Sequence, residues 1–186
     1  RHQTNGRPLV PLLQRVLAAG ISMVQLRERD LSARELVALV REVQTVTASP
    51  GSQLLINDRI DVALALEGLG VHLRSNSLPV PVARQLLGSG RLLGVSVHGV
   101  EEAMQAESQG ADYIVLGPIY ETPSKQMFGP PLGIHTLEKV CSLVRIPIIG
   151  IGGVNAARAR EMRRAGAFGA AVITAILGAD DIESAT

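Results

Sequence analysis

The feature that most restricts the fold is a short apolar run that breaks on glycine or a polar cluster and leads into an amphipathic stretch. It is clearest over residues 146 to 176, IPIIGIGGVNAARAREMRRAGAFGAAVITAI. Ile146 to Ile149 is apolar, β-branched apart from Pro147, and short enough for a strand buried on both faces, and it breaks at Gly150, Gly152 and Gly153. Asn155 is placed to cap a helix through Ala165, with Ala156, Ala159 and Met162 at helical spacing and Gly166 as its stop. Arg158, Arg160, Glu161, Arg163 and Arg164 read as mostly outward-facing. A second buried strand is expected over 170 to 174. Strand, helix and parallel strand make a βαβ unit, and glycines just past the first strand let backbone N–H groups approach an anion. The simpler alternative is that these glycines only permit a tight turn.

The rest of the chain repeats this pattern. Helices are expected over 8–19, 32–46, 60–66, 78–87, 100–109, 134–144 and 155–165, with Ser32 and Glu35 as a capping box. Strands are expected over 22–26, 53–56, 70–73, 92–97, 113–116, 146–149 and 170–174. Strand repeats of roughly 20 to 30 residues match an α/β TIM (β/α)8 barrel. The opening helix precedes the first strand, so the first barrel strand is expected before Arg1 and most of the last helix after Thr186. A seven-stranded open sheet is the rival, and it would leave two apolar strands with unpaired edges. The one long loop, 118 to 133, is of the kind that usually carries function.

Composition supports one folded core. At 46% hydrophobic over 186 residues, a single domain spanning 1–186 is expected. A formal net charge of +1 and 2% aromatics supply neither a basic field for a polyanion nor stacking platforms for bases. Nucleic acid is not expected as a partner. The single cysteine, Cys141, has no internal disulfide partner and suits a packing role in a reducing compartment. No apolar run approaches the roughly 18 residues of a membrane span, and no signal-like segment is present. A cytoplasmic location without a membrane partner is the expectation; a homo-oligomer stays open.

Polar groups gather where a barrel places its chemistry, at the C-terminal ends of strands. They are Gln25, Arg27 and Arg29; Asn57 and Asp58; His72, Ser75 and Ser77; Ser96 and His98; Thr122, Ser124 and Lys125; Gly152 and Gly153; and Thr174. Arg27, Arg29 and Lys125 would form a cationic cradle for a phosphate or diphosphate, against the alternative of solvated surface cations. Asn57 and Asp58 offer hard oxygen ligands of the kind Mg²⁺ takes alongside substrate phosphates; Asp58 as a helix cap is the alternative. His72 and His98 fit neither a zinc motif nor a triad, and are expected to be packed or hydrogen-bonded. GxSxG, Walker and dinucleotide fingerprints are absent.

QLRER (25–29), NDR (57–59), GVHL (70–73), GVSVH (94–98), GADYIVLGPIYETPSK (110–125), GPPLG (129–133), IGIGG (149–153) and AVITAI (171–176) occur in order along nearly the whole chain. Together they resemble the superfamily of thiamine phosphate synthases and thiazole tautomerases, which are TIM barrels. The resemblance to the synthases implies a Mg²⁺-dependent transferase of thiamine biosynthesis. It would join hydroxymethylpyrimidine diphosphate to a thiazole phosphate and release diphosphate. It assigns Gln25 and Asn57 to the pyrimidine or diphosphate; Arg27, Arg29, Lys125 and Ser96 to the diphosphate; and Asp58 to the metal. Thr122 and Ser124 would lie near the thiazole phosphate or the reacting centre, with Gly152, Gly153, Ile173 and Thr174 around the thiazole phosphate and pyrimidine. Arg27, Ser96 and Lys125 are the expected catalytic groups. Synthases usually carry Lys where Arg29 stands and a second metal-binding Asp where Ser77 stands. The tautomerase branch resembles RSNSLPV (74–80) more closely, yet Pro118 stands in place of its typical histidine. A tautomerase-like relative, or a non-catalytic regulator binding a phosphorylated thiazole, is the alternative.

Overall fold

A computed structural model describes residues 4, 6–48, 51–122, 130–179 and 181–182. Helix α1 (Leu9–Ala18) is followed by strand–helix repeats: β1 (Met23–Leu26), α2 (Ala33–Thr47), β2 (Gln53–Asn57), α3 (Ile60–Ala65), β3 (Leu69–Leu73), α4 (Val80–Leu87), β4 (Leu93–Val97), α5 (Val100–Ser108), β5 (Tyr113–Leu116), α6 (Ile134–Leu143), β6 (Ile148–Ile151), α7 (Ala156–Arg164), β7 (Gly169–Ala171) and α8 (Thr174–Leu177). This is the alternation expected from the apolar runs. Ser124 and Lys125 lie outside the described residues.

The chain divides into two compact units. The first comprises Arg1–His72, Ser89–Leu92 and Ile173–Thr186. In it β1 pairs in parallel with β2, Leu26 beside Ile56, and β2 with β3, Asn57 beside His72. Leu54, Leu55, Ile56, Leu69 and Val71 of the strands are buried, as are Leu36, Val40 and Val43 along the inner stripe of α2. The expected capping box is present at the start of α2. Ser32 Oγ accepts from the Glu35 N–H at 3.3 Å while Glu35 Oε2 accepts from the Ser32 N–H at 2.8 Å. Arg91 serves the far end of α3, donating from Nη1 to the carbonyls of Ala63 and Leu66 at 2.7 and 2.9 Å. These are orphan carbonyls of a helix end, so one guanidinium does the work of a C-cap.

The second unit comprises Leu73–Gly88 and Leu93–Val172. Strands β4, β5, β6 and β7 pair in sequence, all in parallel. The β6 ladder starts at Ile148, two residues later than the apolar run indicates. Pro147 has no N–H to give a ladder, and the N–H groups of Arg145 and Ile146 go to Glu107 Oε1 at 2.7 and 3.1 Å. Strand β7 ends at Ala171 instead of Thr174. The Ile173 carbonyl accepts from Ile176 and Leu177 N–H at 3.2 and 2.8 Å, which starts α8 there. Cys141 is half-buried on α6, and burial pushes its thiol pKa up, in keeping with the packing role expected of it.

Close backbone approach is sharpest at Gly94, where an added Cβ would lie 2.0 Å from Tyr113 Cζ. Tyr113 is buried and fully committed to the core, so it has no room to withdraw. Gly94→Ala is expected to lower stability by about 1–3 kcal/mol through overpacking. Gly90→Ala meets nothing within 4 Å and should leave the urea midpoint near that of the parent protein. Equal midpoints for the two variants would contradict this packing.

Candidate active site

In the first unit the strand ends place three of the expected site residues in one hydrogen-bonded row. Gln25 lies exposed on β1, and its Nε2 donates to Asn57 Oδ1 at 3.1 Å. Asn57 Nδ2 in turn donates to Asp58 Oδ2 at 3.1 Å. The row orients the half-buried carboxylate from the side. The backbone orients it from below: Asp58 has φ 61, the one non-glycine residue with positive φ among those described. Asp and Asn tolerate that left-handed conformation better than most residues. The Asp58 N–H donates to the His72 carbonyl at 3.0 Å, and the Ile60 N–H to the Asp58 carbonyl at 2.8 Å. The N-cap of α3 is Arg59, without a side-chain cap bond.

His72 is 3% exposed. Burial pushes its imidazole pKa down to about 4; Arg27 adds to that effect, while the Asp58 charge opposes it. The ring is therefore neutral near pH 7, a packed residue as its spacing indicated. Arg27 and Arg29 are exposed just beyond β1, and Ile173 and Thr174 are exposed at the start of α8.

The second unit holds the remaining described candidates. Ser96 is half-buried on β4, level with Val115. His98 is exposed and pairs with Glu102, whose Oε2 also accepts the His98 N–H at 2.8 Å. Ser77 closes the RSNS turn, its Oγ accepting from the Arg74 N–H at 3.0 Å and its N–H donating to the Arg74 carbonyl at 3.1 Å. Thr122 is half-buried.

Gly152 and Gly153 have φ +101 and +63, and the segment after β5 runs directly over them. A Cβ on Gly152 would meet Pro118 Cβ at 2.6 Å, and one on Gly153 would meet the Glu121 carbonyl at 2.4 Å. Glycine is therefore required here for conformation and for space. The Ile119 and Tyr120 N–H groups bond the Ile151 and Gly152 carbonyls at 2.8 and 3.2 Å. Helix α7, capped as expected by Asn155 Oδ1 accepting from the Arg158 N–H at 2.9 Å, begins immediately after the turn. Three residues not expected at the site attach to it. Arg158 Nη1 donates to the Gly153 carbonyl at 2.7 Å, the Arg158 guanidinium lies 4.6 Å from the Tyr120 ring centre, and Tyr120 donates to Glu161 Oε2 at 2.6 Å. A helical wheel marks Arg158 and Glu161 only as polar; their three-residue spacing on one face was the available signal.

Strand-end carboxylate and amides in one unit, and a glycine turn at the head of a helix in the other, are features of phosphate-handling α/β enzymes. The family model described as thiamine monophosphate synthase matches residues 1–176, and the chain belongs to that family. A relative from Geobacter sulfurreducens is 48% identical over 181 residues, 97% of this chain and 85% of its own. A thiamine-phosphate synthase of Moorella thermoacetica is 46% identical over 180 residues, covering 97% and 86% of the two chains. Among solved structures, thiamine phosphate pyrophosphorylase from Pyrococcus furiosus matches with a TM-score of 0.87 at 33% identity, covering 96% of this chain and 86% of its own. The fold class is thus the expected α/β, TIM-barrel type. Among the described residues, no helix is long and apolar enough to cross a membrane.

The depressed His72 pKa has a sign that can be measured. Between about pH 6.5 and pH 4 the unfolded chain takes up a proton on His72 that the folded chain refuses. This contribution is complete above pH 6.5 and is lost as pH falls through that window. In chelator-treated buffer, His72→Gln is expected to flatten the fall in urea midpoint between those pH values. A variant with the parent's slope would show that His72 titrates normally in the folded state.

Proposed function

We propose that this chain is a thiamine-phosphate synthase, condensing hydroxymethylpyrimidine diphosphate with thiazole phosphate. The C–O bond to diphosphate breaks with its electron pair leaving on the diphosphate. The thiazole nitrogen then attacks the pyrimidine methylene cation to give thiamine phosphate. The observation that carries the reading is the Gln25–Asn57–Asp58 row at the strand ends, with Asp58 fixed at φ 61, in a chain of this family.

The donor set fits Mg²⁺ as that ion is usually bound. Asp58 is one hard carboxylate, and no group of three or more His, Cys, Asp or Glu capable of holding a metal occurs among the described residues. Mg²⁺ commonly takes one or two carboxylates and completes its octahedron with substrate phosphates and water. Asp58 would hold the ion, which when bound neutralises charge growing on the diphosphate. Asn57 and Gln25 orient that carboxylate and present amide groups to the pyrimidine or diphosphate. Arg27, Arg29 and Lys125 add fixed positive charge for the leaving group, and Ser96 a hydroxyl. Such charge stabilises developing anion without reorganising at the moment of reaction. Gly152, Gly153, Ile173 and Thr174 are assigned to the phosphate end of the thiazole, and Thr122 and Ser124 to its neighbourhood. Pro118 supplies no proton-transfer group where the tautomerase branch has its histidine, which favours the synthase reading.

Asp58→Asn keeps a residue tolerant of positive φ and removes only the charge. Thiamine phosphate formation across a Mg²⁺ titration is expected to fall by on the order of a hundredfold or more, with the urea midpoint little changed. Ser77→Asp, which adds a carboxylate at the family's second metal position, should lower the Mg²⁺ needed for half-maximal rate. Parent-like turnover in Asp58→Asn would remove Asp58 from the metal site. Absence of product from the parent protein with both substrates would overturn the synthase reading.

A further inference from the structure

Arg158 differs from the other arginines of α7. Arg160, Arg163 and Arg164 are exposed, whereas Arg158 is half-buried between the Gly153 carbonyl and the face of Tyr120. Two consecutive peptide planes are held at this turn, each by its own donor. The Gly152 carbonyl accepts from the Tyr120 N–H at 3.2 Å, and the Gly153 carbonyl accepts from Arg158 Nη1 at 2.7 Å. In a planar trans peptide the C=O and the following N–H point in opposite directions. Fixing the two carbonyls therefore fixes the directions of the Gly153 and Val154 N–H groups. Glycine needs such fixing more than any other residue, because without a Cβ its own sterics leave the plane free to rotate. Glu161, one turn along the same helix face, holds the Tyr120 hydroxyl at 2.6 Å and so keeps the ring under the guanidinium.

We propose that Arg158 is a positioning residue for the phosphate end of the thiazole substrate. It acts by holding the Gly153–Val154 peptide plane, with the Tyr120 ring and Glu161 as its support. The proposal rests on the reading of the Gly152–Gly153 turn as that subsite. It predicts a selective effect: binding of thiazole phosphate weakens, while that of the pyrimidine diphosphate and the chemical step are spared. A role in folding alone would move neither binding constant selectively.

The test combines calorimetric titration with thiazole phosphate and steady-state kinetics on the full chain, comparing the parent with Arg158→Ala, Arg158→Lys and Arg160→Ala. Arg158→Ala is expected to raise the thiazole phosphate Kd and KM about tenfold, the effect of one lost hydrogen bond from a charged donor. Its KM for the pyrimidine diphosphate and its kcat should stay within about twofold. Arg158→Lys retains a charge over the ring and a donor for the carbonyl, and should recover part of the loss. Arg160→Ala should match the parent. An unchanged thiazole phosphate Kd in a folded Arg158→Ala, or equal rises in both KM values, would overturn the role of Arg158. A parent protein that binds thiazole phosphate but forms no thiamine phosphate would sink the synthase reading, and the titration would still decide on Arg158. A parent that does not bind thiazole phosphate would overturn both.

Discussion

A parallel strand buried on both faces must leave its ladder without orphaning the amides it takes with it, and the candidate site is built at the places where this is hardest. After β2 the chain turns within Asn57–Ile60, and successive N–H groups find partners: Asp58 on the His72 carbonyl, Arg59 on Asn57 at 2.8 Å, Ile60 on Asp58. That pairing demands a left-handed residue in the middle, and Asp58 occupies it with φ 61. The backbone requirement and the carboxylate thus coincide in one residue. After β6 the same problem is solved with two glycines, because the 118–121 segment lies so close that a side chain on either would collide with it. In each case the turn that keeps the strand end paired also fixes the direction of the groups that project from it.

Most of this architecture was legible because it depends on local pattern. The apolar runs gave the strands, since a parallel strand buried on both faces has few polar positions to confuse the period. Ser32 with Glu35 and Asn155 were readable as helix starts because capping depends on one side chain and the amides two or three residues on. The errors fall where a distant partner decides. β6 starts two residues later than its apolar run, because Glu107, distant in sequence, takes the Arg145 and Ile146 amides. β7 ends before its apolar run does, because valine and isoleucine continue the β-branched pattern past the point where Ile173 becomes a helix cap. Gln25, Asn57 and Asp58 were recognisable as polar strand-end residues; their row of hydrogen bonds was not, because it depends on the register of β1 on β2.

Helix α7 shows how far burial can separate residues of one type. Its arginines look interchangeable along AARAREMRR, and solvation is the sound default for each. Arg158 departs from the others because the glycines beneath it leave an open carbonyl and the aromatic ring beside it lowers the cost of bringing a guanidinium out of water. Tyr120 responds in kind: burial and the Glu161 hydrogen bond push its phenol up to about 12, with Arg158 opposing, so it remains a donor throughout the neutral range. A hydroxyl that stays protonated can keep donating to a carboxylate, which makes the support under Arg158 independent of pH near neutrality.

The same logic governs charge in the first unit. His72 accepts the Asp58 N–H on its carbonyl and feels the Asp58 charge, and an imidazolium there would compete for the carboxylate and repel incoming cations. Burial keeps the ring neutral down to about pH 4, so His72 sets no imidazolium beside the Asp58 carboxylate, to which the Asn57 amide donates. Amides orient a carboxylate without cancelling it. Arg27, exposed beyond β1, adds its charge to the effect of burial in keeping that ring neutral. An imidazolium at this position would repel the Arg27 guanidinium and a neutral ring does not, which is why burial and Arg27 push His72 in the same direction.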